Sequence, residues 1–266
     1  MALIEILNAL EQNGRPMSAA EIVAATGLPR SSVFRDLKEL ATAGYLRQDT
    51  ETRRYMAGPK ILRLGALARE HLGREEFLGT PLLKLARQTG ETVSFSVLDV
   101  PYRVATVAIE PPDELRHVVQ VGSRYPLPIG AAGKVILSAL GKDLVSGVLD
   151  WFGTSESEAR RLRAEFEEIN RRGYAATTGE RLSGISGMAV AVFVGDRIHG
   201  SIAVAGPTDR MRTVTKTALV HLRQAAAAVG ALLSEKGLSE KGLSEKGLSE
   251  KGLSESGEAP ALREAD

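Results

Sequence analysis

The chain has 266 residues, of which 43% are hydrophobic and 25% charged, and its formal net charge is +1 at pH 7. A chain of this length and composition is expected to fold into about two domains with sizeable cores. It contains no cysteine, which excludes a disulfide scaffold, thiolate metal sites and thiol redox chemistry.

No targeting or membrane segment is indicated by the sequence. Residues 1–10 contain Glu5 and no basic region, and no stretch approaches about 18 uninterrupted apolar residues. We therefore expect a cytoplasmic protein without a membrane partner. The near-neutral charge alone does not identify any other partner.

The first 57 residues predict three helices. The apolar side of the first is formed by Ala2, Ile4, Leu7 and Leu10. In the second, Ser18 is a suitable N-cap and Glu21 completes a capping box, and Gly27 ends the helix. Pro29 suits the first position of a third helix, whose apolar residues recur at i, i+4, i+7 and i+8. Those residues are Val33, Leu37, Leu40 and Ala41.

The opposite face of the third helix combines cations, small hydroxyls and one aromatic, which suits insertion into a DNA major groove. These residues are Arg30, Ser31, Ser32, Phe34, Arg35 and Lys38. Two short extended segments follow Gly44 and flank a polar run, which indicates a hairpin, the wing. Its predicted phosphate contacts are Arg47, Arg53 and Arg54. The segment 1–57 is therefore predicted to be a winged helix-turn-helix DNA-binding domain.

A packing motif that never contacts DNA is the alternative interpretation of this stretch. Net charge does not separate the two, because residues 1–58 carry seven cations and seven anions. The distribution is more informative, since six of the seven cations lie on the third helix and in the wing.

A helix from Pro59 to about His71 is predicted to be a linker covering 58–73. Its stripe of Ile61, Leu64, Leu67 and Ala68 is more apolar than a solvated connector needs. Because one recognition helix covers only half of a two-fold site, we expect this stripe to be a homodimer seam. The alternative is that the stripe packs on its own chain.

Residues 74–233 are predicted to form an α+β domain, with an antiparallel sheet and helices packed against it. A helix over 74–90 precedes the first strands, and its real start is expected at Pro81. The predicted strands are 92–97, 103–109, 115–121, 174–178, 188–194 and 199–205, and the predicted helices are 131–140, 143–151, 155–172 and 212–233. From residue 234 the sequence Ser-Glu-Lys-Gly-Leu repeats with little apolar surface, so 234–266 is expected to be a disordered low-complexity tail.

Motifs across both halves resemble the IclR-type transcriptional regulators. The similarity is carried by 27–35, 44–46 and 55–65 in the first half, and by 127–134, Gly206-Pro207 and Arg210 in the second. The resemblance covers residues 2 to about 233. It implies a double-stranded DNA operator, a small-molecule effector, a GAF-like effector domain, and dimers or pairs of dimers. Members of the family usually have several residues ahead of the first helix, so we expect that this chain starts later than most members do.

The resemblance also places the effector site. It falls on Gly130, Ala131, Ala132, Thr177, Gly187, Met188, Ala203 and Ala205. In members that bind small oxo-acids, the positions of Thr177, Gly187, Ala203 and Ala205 carry aspartate, cysteine and two serines, and Gly130 replaces a hydroxyl. Backbone N–H groups at the helix start could receive a carboxylate. We expect a roomier, less polar pocket that favours a larger, aromatic acid. The alternative is a filled core without a ligand.

The glycine-rich segments of the sequence do not match enzyme motifs. Gly133-Lys134 lacks the P-loop pattern, and the glycines around Ser186 do not form a nucleophile elbow. The four histidines have no metal-ligand spacing. We therefore expect no catalysis, metal or cofactor. An enzyme with an accessory helix-turn-helix domain and a protein-interaction module remain the competing classes.

Overall fold

The computed structural model describes residues 2–72 and 75–235. The chain divides into two compact units, Met1–His71 and Leu72–Asp266. Almost all of the predicted tail, 236–266, lies outside the described residues, as does the predicted boundary at 73–74. None of the described helices is long and apolar enough to cross a membrane.

The first unit contains a helix-turn-helix followed by a two-stranded antiparallel hairpin. Its elements are α1 Ala2–Asn13, α2 Ala19–Thr26, α3 Arg30–Thr42, β1 Leu46–Gln48, β2 Tyr55–Ala57 and α4 Pro59–Leu72. The predicted capping box is confirmed, because the Ser18 hydroxyl accepts from the backbone N–H of Glu21 while the Glu21 carboxylate accepts from Ser18 N–H at 2.7 Å. Gly27 ends α2 at φ 64°, a left-handed conformation that favours glycine.

The core of the first unit forms where α1, α2 and α3 meet the hairpin. The apolar positions predicted on α3, Val33, Leu37 and Leu40, are buried together with Ile6 and Ile22. A backbone bridge between Met17 and Tyr55 joins the wing to the segment ahead of α2. The exposed face of α3 is thus held on a packed support.

The second unit is a six-stranded antiparallel sheet with helices on both faces, as the α+β prediction required. Its strands are β3 Thr92–Asp99, β4 Tyr102–Ile109, β5 Arg124–Pro126, β6 Ala175–Thr178, β7 Ile185–Val194 and β8 Arg197–Pro207. Its helices are α5 Glu75–Thr89, α6 Gly130–Ser138, α7 Lys142–Trp151, α8 Glu156–Arg172 and α9 Thr208–Glu235. The strand order is β5-β4-β3-β8-β7-β6.

Alternation along β7 separates the two cores. Met188, Val190 and Val192 pack in one cluster with residues of α5 and α9, whereas Ala189 packs in the other with residues of α6, α7 and α8. This follows from the two-residue period of a strand, which sends successive side chains to opposite faces.

Two sequence expectations for this unit are wrong. Residues 115–121 form no strand, although they alternate: His117 and Val119 are buried, while Val118 is exposed. This segment is tied down by side chains instead, because the Thr92 hydroxyl donates to the carbonyl of His117 at 2.5 Å. Pro81 does not start a helix either, since it lies inside α5. Burial of Leu78 and Leu82 on both sides of the proline keeps the helix continuous.

Candidate functional site

The solvent-facing side of α3 carries the residues predicted to read DNA. Arg30, Ser31, Phe34, Arg35 and Lys38 are exposed, and Ser32 is half-buried. The aromatic ring of Phe34 lies in the open with 45% of its surface accessible, beside the Arg30 guanidinium at 5.5 Å. A large exposed aromatic flanked by cations is unusual on a solvated helix, and it suits a surface that binds a partner.

Arg35 is held in place without being buried. Its Nε donates to the carboxylate of Asp36 at 3.1 Å, and its Nη2 donates to the Ser32 hydroxyl at 3.3 Å. The Asp36 side chain is 6% exposed whereas that of Arg35 is 72% exposed. The remaining guanidinium N–H groups of Arg35 therefore face solvent, where they can donate to a guanine edge or a phosphate.

The wing turn is shaped by Asp49. Its carboxylate accepts from the backbone N–H groups of Glu51 and Thr52, at 3.1 and 2.7 Å. The bonds from Thr52, followed by that from Glu51, hold the pKa of Asp49 below its usual value. The turn presents Arg53 in a left-handed conformation, φ 57°, and leaves both Arg53 and Arg47 exposed.

Arg54 differs from Arg47 and Arg53, because its guanidinium is paired within the chain although its side chain is 38% exposed. Its Nη1 donates to the Pro16 carbonyl at 2.8 Å and to the Glu21 carboxylate at 3.0 Å. Glu21 is the acid of the α2 capping box. The Arg54 guanidinium thus fastens the wing to the start of α2, and its charge is already matched.

A cavity of about 60 Å³ lies in the second unit, beside the start of α6 and the adjoining strands of the sheet. Seven of the eight residues that the sequence assigned to the effector site line this cavity. They are Gly130, Ala131, Ala132, Thr177, Gly187, Ala203 and Ala205. The register brings the strand residues together, because Gly187 lies opposite both Thr177 and Ala205.

Met188 is the exception, and its assignment to the effector site is wrong. It follows Gly187 on β7, so its side chain points to the opposite face of the sheet. There it is 2% exposed and packs among the residues of α5 and α9.

The N-terminus of α6 is occupied by acceptors of the chain itself. The backbone N–H of Gly130 donates to the Glu180 carboxylate at 3.1 Å, and that of Ala131 donates to the Thr177 hydroxyl at 3.2 Å. Glu180 also ion-pairs with Lys134, which is 3% exposed and bonds to Glu165 as well. Gly130 has φ 77°, a left-handed conformation that favours glycine over any residue with a side chain.

Sequence reasoning missed the most polar part of the cavity. Ser94, Arg103, His117, Tyr125, Glu180 and Arg181 also line it. Arg103 is 6% exposed, and its Nη1 donates to the Ser96 hydroxyl at 2.7 Å while its buried Nε has no hydrogen-bond partner. The expectation of a less polar pocket considered only the replaced positions and left out this charged wall. One wall is apolar, formed by Ala203 and Ala205, but another carries two guanidiniums.

The two guanidiniums lie around one aromatic ring. Arg103 and Arg181 lie 4.7 and 4.9 Å from the centroid of Tyr125. Burial, and then the nearby Arg181 charge, lowers the pKa of Arg103 to about 10. Arg181 contacts His117 Nε2 at 2.7 Å, where the ring nitrogen accepts. Burial, followed by the charges of Arg181 and Arg103, lowers the pKa of His117 to about 4, so the ring is neutral at pH 7.

One signal in the sequence could have identified Arg103. It begins a predicted strand in which Ala105 and Val107 follow at two-residue spacing, and the structure buries all three. An arginine in phase with the buried side of a strand requires a partner inside the protein. Arg181 gave no such signal, because it lies in a turn segment between β6 and β7. Within 2–72 and 75–235, no cluster of histidine and acidic residues could hold a metal ion.

Comparison with known proteins gives matches to both units of the chain. The sequence model for the bacterial transcriptional regulator IclR C-terminal domain matches residues 74–231, and that for the IclR helix-turn-helix domain matches residues 3–50. The HTH-type transcriptional regulator KdgR of Escherichia coli is 27% identical over 239 residues, which cover 85% of this chain and 90% of KdgR.

Two further similarities extend over most of the chain. The HTH-type transcriptional regulator Rv1719 of Mycobacterium tuberculosis is 30% identical over 213 residues, covering 78% of this chain and 81% of that protein. An IclR homolog from Microbacterium hydrocarbonoxydans, solved in complex with 4-hydroxybenzoate, has the same fold. It matches with a TM-score of 0.75 at 17% identity, covering 86% of this chain and 96% of the other.

Proposed function

Because the chain belongs to the IclR family of bacterial transcriptional regulators, with a helix-turn-helix DNA-binding domain and an effector-binding domain, we propose that it binds a palindromic operator through α3. In this proposal, a small organic acid that enters the cavity beside α6 raises or lowers the affinity for the operator.

The exposed face of α3 is the observation that carries the DNA-binding proposal. Arg30, Phe34, Arg35 and Lys38 are exposed while the opposite stripe is buried. In this assignment, Arg35 reads a base edge, and Arg47 and Arg53 of the wing contact phosphates. Ser31 and Ser32 lie at the start of the helix, where small hydroxyls allow close approach to the backbone of DNA.

Operator binding requires two copies of α3, so the proposal includes a homodimer or a dimer of dimers. The support comes from α4, where Leu64 and Leu67 of the predicted seam are 44% and 51% exposed. The neighbouring Leu62 is 77% exposed, whereas Ile61 of the seam is half-buried. The Ala68 side chain, the fourth residue of the predicted seam, lies outside the described set. Sedimentation at micromolar concentration tests this point, and a monomer both with and without operator overturns it.

The effector proposal combines the two walls of the cavity. The guanidiniums of Arg103 and Arg181 suit an acidic group, and Ala203, Ala205 and Gly187 leave room for the body of the ligand. The cavity volume is about 60 Å³, smaller than the roughly 150 Å³ that accommodates a benzene ring. A small acid therefore fits the cavity as it stands, whereas the aromatic acid expected from the sequence needs a wider cavity.

We further propose that the protein acts without catalysis and in the cytoplasm. The relatives KdgR and Rv1719 carry the names of transcriptional regulators, which supports the first point. A cytoplasmic location follows from the proposed access to DNA.

Selection of genomic DNA fragments by the purified full-length protein tests the proposal. We expect enrichment of one palindromic sequence, because a two-fold dimer presents two recognition helices. Recovery of fragments without a common sequence overturns the proposed operator function. Repeating the selection in the presence of the acids named in the next subsection shows whether a ligand changes the fraction of DNA that the protein retains.

A further inference from the structure

Two cations of the effector cavity, the buried Arg103 and the half-buried Arg181, lack an acidic partner. Neither Arg103 nor Arg181 forms an ion pair with a carboxylate among the described residues. The nearby acids are used elsewhere, since Glu110 pairs with Arg116 at 2.7 Å and Glu180 pairs with Lys134. Two positive charges therefore face one small space, and the carboxylate that also lines it, Glu180, is directed to Lys134 and not to either arginine.

Such an arrangement is costly in a protein that has no ligand. A buried charge normally requires an opposite charge and hydrogen bonds to all of its donors. Arg103 is 6% exposed, its Nε has no hydrogen-bond partner, and its neighbour Arg181 repels it. The stacking of both guanidiniums on Tyr125 offsets only part of this cost.

The other anion-binding feature of the cavity is already satisfied. A helix N-terminus favours an anion, but at α6 the Gly130 N–H is bonded to Glu180 and the Ala131 N–H to Thr177. An incoming acid finds unmatched positive charge only on the opposite wall, at Arg103 and Arg181.

We propose that the effector is a dianion, a small dicarboxylate or a phosphorylated compound, whose acidic oxygens bind between the guanidiniums of Arg103 and Arg181. This inference rests on the proposed effector function of the cavity. Two negative charges on oxygen match the two guanidiniums, neither of which has a carboxylate partner, and both line the cavity, where they can donate charge-assisted hydrogen bonds. His117 stays neutral and orients Arg181 through its ring nitrogen. The ring of Tyr125 contacts both guanidiniums and fixes their distance from it.

The test compares ligands that differ in charge and little else. Melting temperatures of the full-length protein are measured at constant ionic strength with succinate and with its monoamide succinamate. Phthalate and its monoamide phthalamate form the aromatic pair, and inorganic phosphate and glycerol phosphate, both dianions at about pH 8, represent the phosphorylated source. We expect a dianion to stabilise the wild type with about 10-fold or greater preference over its monoanionic counterpart.

Variants assign the effect to the two arginines. In Arg103→Gln and in Arg181→Gln, the dianion affinity is expected to fall about 10- to 100-fold, the range of one lost charge-assisted bond. Arg160→Gln on α8 is the matched control, because that arginine is 68% exposed and lies outside the cavity lining. Two variants guard against the failure of either one to fold, which circular dichroism detects.

The outcomes separate this inference from the proposed function. Equal affinity for dianions and monoanions, or an unchanged dianion shift in both variants, overturns the dianion inference and leaves an effector cavity of other specificity. The absence of a shift with every dianion also overturns it. Dianion binding without any change in operator affinity overturns the proposed sensing function instead. A larger shift with glycerol phosphate than with succinate assigns the ligand to phosphorylated compounds, and the reverse assigns it to dicarboxylates.

Discussion

The carboxylate of Glu180 accepts a hydrogen bond from the backbone N–H of Gly130 at 3.1 Å. An acid of the chain thereby occupies the N-terminus of α6, where the helix dipole and free N–H groups favour an anion. Lys134 forms an ion pair with this carboxylate and also with that of Glu165. The effector cavity therefore has two anion positions, one filled internally by Glu180 and one open at Arg103 and Arg181.

Removing the charge of Glu180 should open the first position. In Glu180→Gln, we expect monoanionic acids such as pyruvate to bind several-fold more tightly, because the amide competes weakly for the helix N-terminus and Lys134 loses a partner. Calorimetric titration of pyruvate measures this, with Glu156→Gln on α8 as the exposed control. An affinity for pyruvate equal to that of the wild type would show that Glu180 does not block this position.

Removing one of the clustered cations should stabilise the protein without ligand. Arg103→Met eliminates a buried guanidinium that repels Arg181 and carries an unpartnered Nε. We expect a gain of about 1 kcal/mol in unfolding free energy, or about 2 to 4 °C in melting temperature for a unit of this size. Arg160→Met is the control. A lower melting temperature of Arg103→Met than of the wild type contradicts the assignment of uncompensated charge.

Stability should rise with pH through the range set by His117. Its pKa is about 4 in the folded protein, because of burial and the charges of Arg181 and Arg103, against a weaker opposing effect of Glu110. The unfolded chain, with a histidine pKa near 6.5, therefore binds the proton first as the pH falls. This contribution is fully present above about pH 6.5 and decreases towards pH 4, by roughly 1 to 3 kcal/mol in all.

His117→Gln is the variant that isolates this contribution. Denaturant unfolding of the wild type and of His117→Gln between pH 4 and pH 8 gives the two stability profiles. We expect the slope between pH 4 and 6.5 to be smaller in the variant. Identical slopes would mean that His117 does not carry the linkage.

The two neighbouring arginines of the wing should behave differently. Arg54→Ala removes the tie to Glu21 and Pro16, so we expect a loss of about 1 kcal/mol in the stability of the first unit. Arg53→Asn keeps a residue that tolerates the left-handed backbone and should leave stability unchanged. It should weaken operator binding and lower the salt dependence by about one counterion. Melting curves and salt titrations of operator binding distinguish the two, and the same response from both contradicts the separate roles.

Features that depend on neighbours in sequence were predicted well, whereas contacts between residues distant in sequence were not. The capping box of Ser18 and Glu21 and the buried stripe of α3 depend on neighbours in sequence, so the sequence contains them. Arg103 and Arg181 meet only because β4 and the segment after β6 approach the same cavity, and no periodicity reports that. Met188 is an exception among the local signals, because the two-residue period of β7 alone sends it to the face opposite Gly187. Residues 115–121 alternate like a strand, yet side-chain bonds hold them as a loop.

The central claim is that the exposed face of α3 reads the operator, and Arg35→Ala tests it most directly. Labelled operator obtained by genomic selection is titrated at fixed salt with the wild type, with Arg35→Ala, and with Arg15→Ala as an exposed control outside α3 and the wing. We predict that Arg35→Ala costs about 1 to 3 kcal/mol in binding free energy and relaxes the preference at one base pair of each half-site, while Arg15→Ala binds like the wild type. An Arg35→Ala variant with wild-type affinity and wild-type sequence preference would contradict the assignment of α3 as the recognition helix.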